Sequence, residues 1–173
     1  MLKENVSDAL NAQINAEMFS AYLYMSMSAY FKSVNLDGFS SWMEAQAQEE
    51  MMHAKKFYDF INQRGGRVVF KQIETPQSEW NSCLHAFEEA LTHEQKITGL
   101  INQLVDIAHE ARDHATSIFL QWFVSEQVEE EESVGGVVER LKLVEESKGG
   151  LFMIDQELSK RPMPFVATTP EAA

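Results

Sequence analysis

The sequence predicts an all-α fold: a four-helix bundle with one long crossover between helices 2 and 3, plus a short C-terminal fifth helix. Four long stretches without proline place apolar residues every three or four positions, the period of an amphipathic helix. Short breaks separate the first pair and the last pair of stretches, whereas 18 residues, 65–82, separate the second from the third. The 173 residues fit one domain, predicted at 1–160, with a flexible tail at 161–173.

The helix boundaries follow from local start and stop signals. Turn-forming residues at 34–38 end the first helix, and Gly65-Gly66 provides the left-handed stop that helix ends favour. β-Branched residues and Pro76 between the second and third helices indicate extended chain. The five predicted helices cover Asn5–Lys32, Asp37–Arg64, Ser82–Glu110, the stretch from the break at 111–113 to Val144, and Leu151–Ser159.

The long connection sets the topology of the bundle. A helix the length of the first one, 28 residues, is about 42 Å long. The 18 connecting residues reach about 60 Å when extended, so they can run the full length of the bundle. We therefore expect helices 2 and 3 to be parallel, and the tightly joined pairs to be antiparallel.

The composition limits the classes of partner. A net charge of −13 argues against nucleic acid, because nucleic-acid-binding proteins present basic faces. An acidic surface attracts cations and repels anionic membranes. No run of about 18 apolar residues is present, so no membrane partner is expected and a cytoplasmic location is predicted. The single cysteine, Cys83, excludes an internal disulfide and cysteine-based metal sites within one chain.

Each of the four apolar stripes carries acidic or amide side chains near its middle. The predicted helix ends place these positions at heights that differ by about 6 Å at most. Any one glutamate alone would most simply be a residue at the edge of its stripe, but four at one level indicate a shared site. The central polar positions are Glu17, Glu50 with His53 three residues later, Glu94, Gln127 and Glu130.

Four carboxylates in an apolar core need compensation, because burying even one costs several kcal/mol. No Arg or Lys falls on the central part of any stripe, so internal salt bridges cannot supply it. Two divalent cations would cancel four negative charges. A dinuclear metal site is the favoured interpretation, and a protonated, hydrogen-bonded network is the alternative.

Several segments are similar to those of a known family. Glu-x-x-His on one helix with acids on the others is the ligand pattern of ferritin-like di-iron proteins. Over roughly residues 3–160 the chain resembles the non-haem ferritins of bacteria and archaea. The segments that carry the resemblance are Asn15-Ala16-Glu17, Gln48-Glu49-Glu50-Met51-Met52-His53, His93-Glu94-Gln95 and Phe119-Leu120-Gln121-Trp122-Phe123-Val124-Ser125-Glu126-Gln127-Val128-Glu129-Glu130-Glu131.

The resemblance implies a specific set of iron ligands. One iron would be held by Glu17, Glu50 and His53. The second would be held by Glu50, Glu94 and Glu130, so that Glu50 bridges the two ions.

Two further side chains gain a role from the resemblance. Gln127 would be a weak ligand or lie just outside the ligand set. Tyr24 matches the family's tyrosine beside the di-iron centre, where it would donate a hydrogen bond or an electron; an ordinary core aromatic is the alternative. The remaining histidines are predicted to be surface or boundary residues: His85, His93, His109 and His114.

A third iron site is also implied, formed by Glu49, Glu126 and Glu129 and shared with Glu130. The alternative for the acidic run 129–132 is a solvated charged face, because only one of four successive helical residues can face the core.

The resemblance implies iron storage and detoxification by a ferroxidase. It would oxidise Fe²⁺ with O₂ or H₂O₂ and deposit a ferric mineral in a homo-oligomeric cage of 24 subunits. Haem is not expected: the Gln127-Val128-Glu129-Glu130 segment lacks the second histidine of bacterioferritins. Met51 falls near their haem methionine, but methionine is also common at interfaces.

Other functions within the same fold are weaker fits. A rubrerythrin-like peroxidase needs a cysteine-ligated iron domain, which one cysteine cannot supply. A di-iron oxygenase usually has a longer chain with a substrate channel. Mini-ferritins that coat DNA place iron between subunits and usually lack the long C-terminal extension. A purely structural bundle is the remaining alternative.

Overall fold

The computed structural model describes residues 2–144 and 147–164, and it confirms the predicted helical bundle with a short fifth helix. No strand occurs in these two ranges, and no helix in them is long and apolar enough to cross a membrane. Most of the predicted flexible tail, residues 165–173, lies outside the described residues. The helices are α1 (Glu4–Ser33), α2 (Asp37–Gln63), α3 (Cys83–Glu110), α4 (His114–Val144) and α5 (Lys148–Leu158).

Serine side chains begin two of the helices. Ser82 Oγ accepts a hydrogen bond from the His85 N–H at 3.0 Å and caps α3. Ser147 Oγ accepts one from the Gly150 N–H at 3.0 Å and caps α5. This cap explains why α5 begins at Lys148, whereas the sequence prediction began it at Leu151 and treated the glycine pair as a break.

The crossover runs along α1 from one end of the bundle to the other. Near the start of α1, Asn11 donates to the carbonyl of Arg67 at 3.1 Å and accepts from the N–H of Val69 at 2.7 Å. Near its end, the Tyr30 hydroxyl donates to the carbonyl of Trp80 at 2.9 Å. The connection therefore carries the chain back to the end of the bundle where α2 begins. α2 and α3 consequently run parallel, as predicted.

Buried apolar side chains form two separate clusters. One cluster lies at the end of the bundle that α5 covers and includes Phe31, Phe39 and Phe87. The other lies at the end where α3 turns into α4 and includes Phe57 and Phe123. Both follow from helical stripes whose apolar faces meet at the bundle axis. The stripes change from apolar to polar between the clusters, where the buried side chains include Glu17, Gln46, Glu50, His53, Glu94, Gln127 and Glu130.

The fifth helix docks onto the start of α2. Asp155 Oδ1 accepts hydrogen bonds from the N–H groups of Gly38 at 2.8 Å and Phe39 at 3.1 Å, which satisfies donors that a helix start leaves unpaired. A Cβ atom on Gly38 would lie 1.7 Å from the Asp155 carbonyl oxygen, so this close approach requires glycine. The position of α5 is thus tied to the start of α2.

Candidate metal centre

Three buried side chains from α1 and α2 converge at the centre of the polar layer. Glu17, Glu50 and His53 each offer one potential ligand atom, and these atoms all lie within 4.8 Å of one another. Glu50 and His53 share one face of α2 because residues three apart are neighbours on a helix. His53 Nδ1 lies 3.4 Å from Glu50 Oε2. A carboxylate pair with one imidazole is a donor set suited to a divalent transition-metal ion.

When the carboxylates are ionised, two oxygens of this group have no hydrogen-bond donor within the part of the chain that the structure describes. They are Glu17 Oε2 and Glu50 Oε1, and both are buried. The other oxygen of Glu17 accepts a hydrogen bond from Gln13 at 2.9 Å. A buried acceptor without a donor costs free energy, and a bound cation would remove that cost. The residues present therefore fit a metal ion.

The structure places Glu94 and Glu130 in the same layer, but each is held by a neighbouring polar group. Tyr24 donates its hydroxyl hydrogen to Glu94 Oε1, and Gln127 Nε2 lies 3.3 Å from Glu94 Oε2. Gln46 donates to Glu130 Oε2. The predicted second ligand set of Glu50, Glu94 and Glu130 is not among the close groups found in the described residues. Exchange of these hydrogen bonds for metal bonds would bring Glu94 and Glu130 into the site.

A second close group connects the inner layer to the bundle surface. His53, Glu126 and Glu130 each offer a ligand atom within 4.8 Å of the others. His53 Nε2 lies 3.8 Å from Glu126 Oε1. One imidazole thus faces Glu50 through one nitrogen and Glu126 through the other. His53 therefore lies between the inner acids of the polar layer and the outer acids nearer the surface. The inner acids are Glu17, Glu50, Glu94 and Glu130, and the outer acids are Glu49, Glu126 and Glu129.

The other residues of the predicted third site differ in their surroundings. Glu49 is half-buried and accepts a hydrogen bond from Arg161, which follows α5. Glu129 is exposed and belongs to neither close group of the described residues. Of the acidic run 129–132, only Glu130 is buried, in keeping with the helical geometry.

The inner carboxyl groups favour protons when no cation is bound. Burial and the neighbouring Glu50 raise the pKa of both Glu17 and Glu130 to about 8. Burial and the neighbouring Glu130 raise the pKa of Glu94 to about 7. Burial also raises the pKa of Glu50 and, together with Glu94, that of Tyr24. The metal-free layer is therefore a partly protonated network, and a metal ion would have to displace protons to bind.

His53 is held in its charged form by carboxylates on both sides. Burial opposes the charge, but the nearby carboxylates of Glu126 and Glu50 outweigh it and raise the pKa to about 11. The charged imidazole of His53 in turn lowers the pKa of Glu126. Because a ligating imidazole must be neutral, metal binding here would also release the proton of His53.

The prediction for one histidine was wrong. His93 is buried, not at the surface, and its Nε2 forms a 2.7 Å hydrogen bond with Ser20 Oγ. Burial, with a smaller contribution from Lys96, lowers its pKa to about 4, so it is neutral. His93 packs against α1, where its ring centroid lies 6.3 Å from that of Tyr24, and it sits one position before the stripe residue Glu94, which is why the central stripe did not include it. A contact with Phe19, whose ring centroid lies 5.8 Å away, marks the same α1–α3 interface.

Comparisons with known proteins agree with this architecture. A family model described as "Ferritin-like domain" matches residues 7–144. The chain belongs to the ferritin family. A "Bacterial non-heme ferritin" of Bacteroides fragilis (strain 638R) is 42% identical over 161 residues, which cover 93% of this chain and 100% of the relative.

Solved structures are more similar still to this ferritin-family chain. One is described as an "open pore ferritin" from the hyperthermophilic archaeon Archaeoglobus fulgidus, with a TM-score of 0.93 and 52% identity, covering 94% of this chain and 100% of that one. Another is a closed form of that ferritin engineered by site-directed mutagenesis, with a TM-score of 0.93 and 51% identity over 94% of this chain and 99% of the other. The recognition of a ferritin from its motifs is thereby confirmed.

Proposed function

We propose that this chain stores and detoxifies iron by oxidising Fe²⁺ to Fe³⁺ at a di-iron centre inside each subunit. The observation that carries the proposal is the convergence of Glu17, Glu50 and His53 with two unpartnered buried oxygens. No lysine or arginine is hydrogen-bonded to this group within the described residues, so cations from solution are the natural counter-charge.

The proposed ligands follow the layer of polar side chains. Glu17, Glu50 and His53 hold the first iron, and Glu50 bridges to a second iron held with Glu94 and Glu130. Gln127 is a weak or outer ligand. Tyr24 fixes Glu94 through its hydroxyl and keeps one carboxylate oxygen oriented.

A third iron site is proposed at Glu49, Glu126 and Glu129, shared with Glu130. The close group of His53, Glu126 and Glu130 supports it, because two of the proposed ligands, Glu126 and Glu130, offer oxygens within 4.8 Å of each other. An ion leaving the inner layer would meet carboxylates at each step towards the surface. Glu129 would have to change rotamer to take part.

The chemistry follows from the donor set. Hard carboxylate oxygens favour Fe³⁺ over Fe²⁺, which assists electron transfer from the substrate iron to O₂ or H₂O₂. The chain supplies orientation through Gln13, Gln46 and Tyr24, each of which donates to a proposed ligand. It also accepts and releases protons, since the raised pKa values of the carboxyl groups couple metal entry to proton loss.

We propose that the chain assembles into a cage of 24 identical subunits around a ferric mineral. Exposed apolar side chains on one outer face of α1 and α2 support contact with another copy, including Tyr22, Met25 and Met51, which are each about half exposed. The acidic composition supports iron as the partner, and neither nucleic acid nor membrane is proposed.

Aerobic addition of Fe²⁺ tests the proposal. We expect a soluble mineral with many irons per chain. A di-iron oxygenase would take up at most about two irons, and a structural bundle would take up none above background. A Glu17→Gln, His53→Ala double variant should lose rapid oxidation. Equal rates in this variant and the wild type would contradict the proposed centre.

A further inference from the structure

We propose that Arg161 is a built-in counter-cation for the outer acids, which occupies Glu49 until an incoming metal ion displaces it. The inference rests on the proposed function, because it concerns the proposed third iron site at Glu49, Glu126 and Glu129, called the outer site below. It adds to that site a competitor supplied by the chain itself. The consequence is an outer site that binds metal weakly and therefore passes ions on.

The contact that carries the proposal is an ion pair between two distant parts of the chain. Arg161 Nη2 donates to Glu49 Oε2, across 112 positions of sequence. The side chains are only 18% and 25% exposed. The guanidinium carbon also lies 4.3 Å from the centroid of the Trp42 ring, a stacking geometry that favours arginine over lysine.

The segment that carries Arg161 is held in place by the fold. The Arg161 N–H donates to the Leu158 carbonyl at 3.2 Å, directly after α5. Asp155, which lies one turn before Leu158, fixes α5 to the start of α2. Met163 contributes a 3.9 Å contact from its sulfur to Gln48 Nε2, beside Glu49. The guanidinium is therefore delivered to α2 by a docked element.

The geometry of the ion pair favours displacement of the Arg161 side chain from Glu49. Arg161 uses one nitrogen for Glu49, and its other terminal nitrogen, Nη1, is buried without a hydrogen-bond partner among the described residues. A two-pronged arginine–carboxylate pair would be stronger, so this arrangement leaves binding free energy unused. Movement of the side chain into solvent would hydrate Nη1, while a divalent ion would replace one positive charge on Glu49 with two.

Arg161 and a metal ion on Glu49 exclude each other by charge. A guanidinium and a dication sharing one carboxylate would repel at close range in a partly buried setting. The competition does not extend to the inner site, because no described contact joins Arg161 to Glu17 or Glu50. The outer and inner sites should therefore respond differently to the loss of Arg161.

Zinc binding to the assembled full-length protein separates the two sites. Crystals are soaked in a Zn²⁺ concentration series, and anomalous diffraction at the zinc edge gives occupancy at the outer acids and, as an internal reference, at Glu17, Glu50 and His53. The proteins compared are wild type, Arg161→Gln and Arg161→Lys. The control is Arg64→Gln, which removes another partly buried arginine ion pair, 3.1 Å from Asp113, at the end of the bundle away from α5.

We expect Arg161→Gln to fill the outer site at roughly tenfold lower Zn²⁺ concentration, in proportion to the loss of one charge-assisted hydrogen bond. Arg161→Lys should fall between that variant and the wild type, and Arg64→Gln should match the wild type. In wild-type crystals, the Arg161 side chain should leave Glu49 as outer zinc appears. This wild-type series tests displacement even if a variant folds poorly.

Two results would overturn the inference: equal outer occupancy in wild type and Arg161→Gln at every concentration, or zinc and the guanidinium on Glu49 in the same subunit. Zinc missing from Glu17, Glu50 and His53 is a separate result, which would refute the proposed di-iron centre. If outer binding still tightened in Arg161→Gln, the role of Arg161 would stand without that centre.

Discussion

The inner and outer acids of this molecule are neutralised in different ways. The inner layer of Glu17, Glu94 and Glu130 has no arginine or lysine partner in the described residues and responds to burial by taking up protons. The outer Glu49 has a positively charged partner within the chain, Arg161. His53 lies between the two and pairs with an acid on each side.

This difference predicts how strongly each group of acids would hold a metal ion. In the proposed function, protons would leave the inner layer as metal enters, and they would leave no positive charge behind. Arg161 leaves Glu49 only by moving its side chain, and it remains nearby to return. The proposed di-iron layer would therefore bind its ions tightly, and the proposed third site would hold an ion only briefly. The predictions below test this contrast, starting with the largest effect.

Glu50→Gln should remove the inner site. Glu50 is the proposed bridging ligand, and an amide cannot replace a carboxylate between two metal ions. We expect the initial rate of Fe²⁺ oxidation to fall by about 100-fold or more, measured by stopped-flow absorbance. Glu132→Gln, which removes an exposed acid of the same α4 run, is the control and should oxidise iron like the wild type. A wild-type rate in Glu50→Gln would refute the assignment.

The metal-free protein should lose stability as the pH rises from about 7 to about 8.5. The folded pKa values of Glu17 and Glu130, about 8, lie above the ordinary value of 4.5, so the folded state holds protons that the unfolded state has lost. The stabilisation from these protons is complete below the ordinary pKa of 4.5, declines as the pH rises above that value, and is gone once the pH passes the folded pKa of about 8. The raised pKa of His53 acts in the same direction, whereas the lowered pKa of His93 has its effect only below its ordinary value of 6.5.

Thermal melting with and without Zn²⁺ measures this effect. We expect a loss on the order of a few kcal/mol in the metal-free protein, and a much flatter profile with zinc bound. Glu17→Gln should flatten the metal-free profile, because a neutral amide does not titrate. A metal-free protein that gains stability over this range would contradict the protonated inner layer.

Gly38→Ala should affect the outer acids and spare the inner ones. A methyl group at Gly38 collides with the backbone of Asp155, which must move together with α5. We expect a cost of about 1–3 kcal/mol in the free energy of unfolding. Arg161 should also withdraw from Glu49, so that outer zinc binding resembles that of Arg161→Gln.

Gly99→Ala is the matched control for this change. Gly99 lies inside α3, and an added Cβ there meets nothing within 4 Å. It should stabilise the helix by about 0.5–1 kcal/mol and leave zinc binding unchanged. Gly38→Ala with normal stability and normal outer zinc would show that α5 does not position Arg161.

The regular geometry of helices explains how much of this contrast could be predicted from the sequence. Glu17, Glu50, Glu94 and Glu130 occupy one layer because a constant rise converts sequence offsets into heights. The crossover was predictable because the reach of extended chain depends only on residue count.

Side-chain partners required the structure. The hydrogen bond from Tyr24 to Glu94 depends on rotamers, which spacing does not specify. Arg161 was assigned to a flexible tail because its position depends on how Asp155 docks α5 against Gly38, a contact between residues 117 positions apart. His93 was misplaced because it faces a second interface of α3, which the central stripe does not describe.

Tyr24→Phe should have the smallest effect on the inner site. The change keeps the ring and removes the hydroxyl that donates to Glu94. Burial and Glu130 raise the pKa of Glu94, and the Tyr24 hydrogen bond opposes them, so its loss should raise that pKa further. A higher pKa leaves more Glu94 protonated, which weakens it as a ligand. Oxidation should slow by about tenfold, with a pH profile displaced to higher pH.

Tyr30→Phe controls for the loss of a tyrosine hydroxyl on the same helix. Tyr30 donates to the Trp80 carbonyl at 2.9 Å, beside the crossover and away from the acids. Its loss should lower stability by about 1 kcal/mol and leave the pH profile of oxidation unchanged. If both variants slowed oxidation equally without a pH displacement, Tyr24 would be an ordinary core aromatic. A displaced profile in Tyr24→Phe alone would show that the Tyr24 hydroxyl lowers the proton affinity of Glu94. For the outer Glu49, the positive charge of Arg161 acts in the same direction.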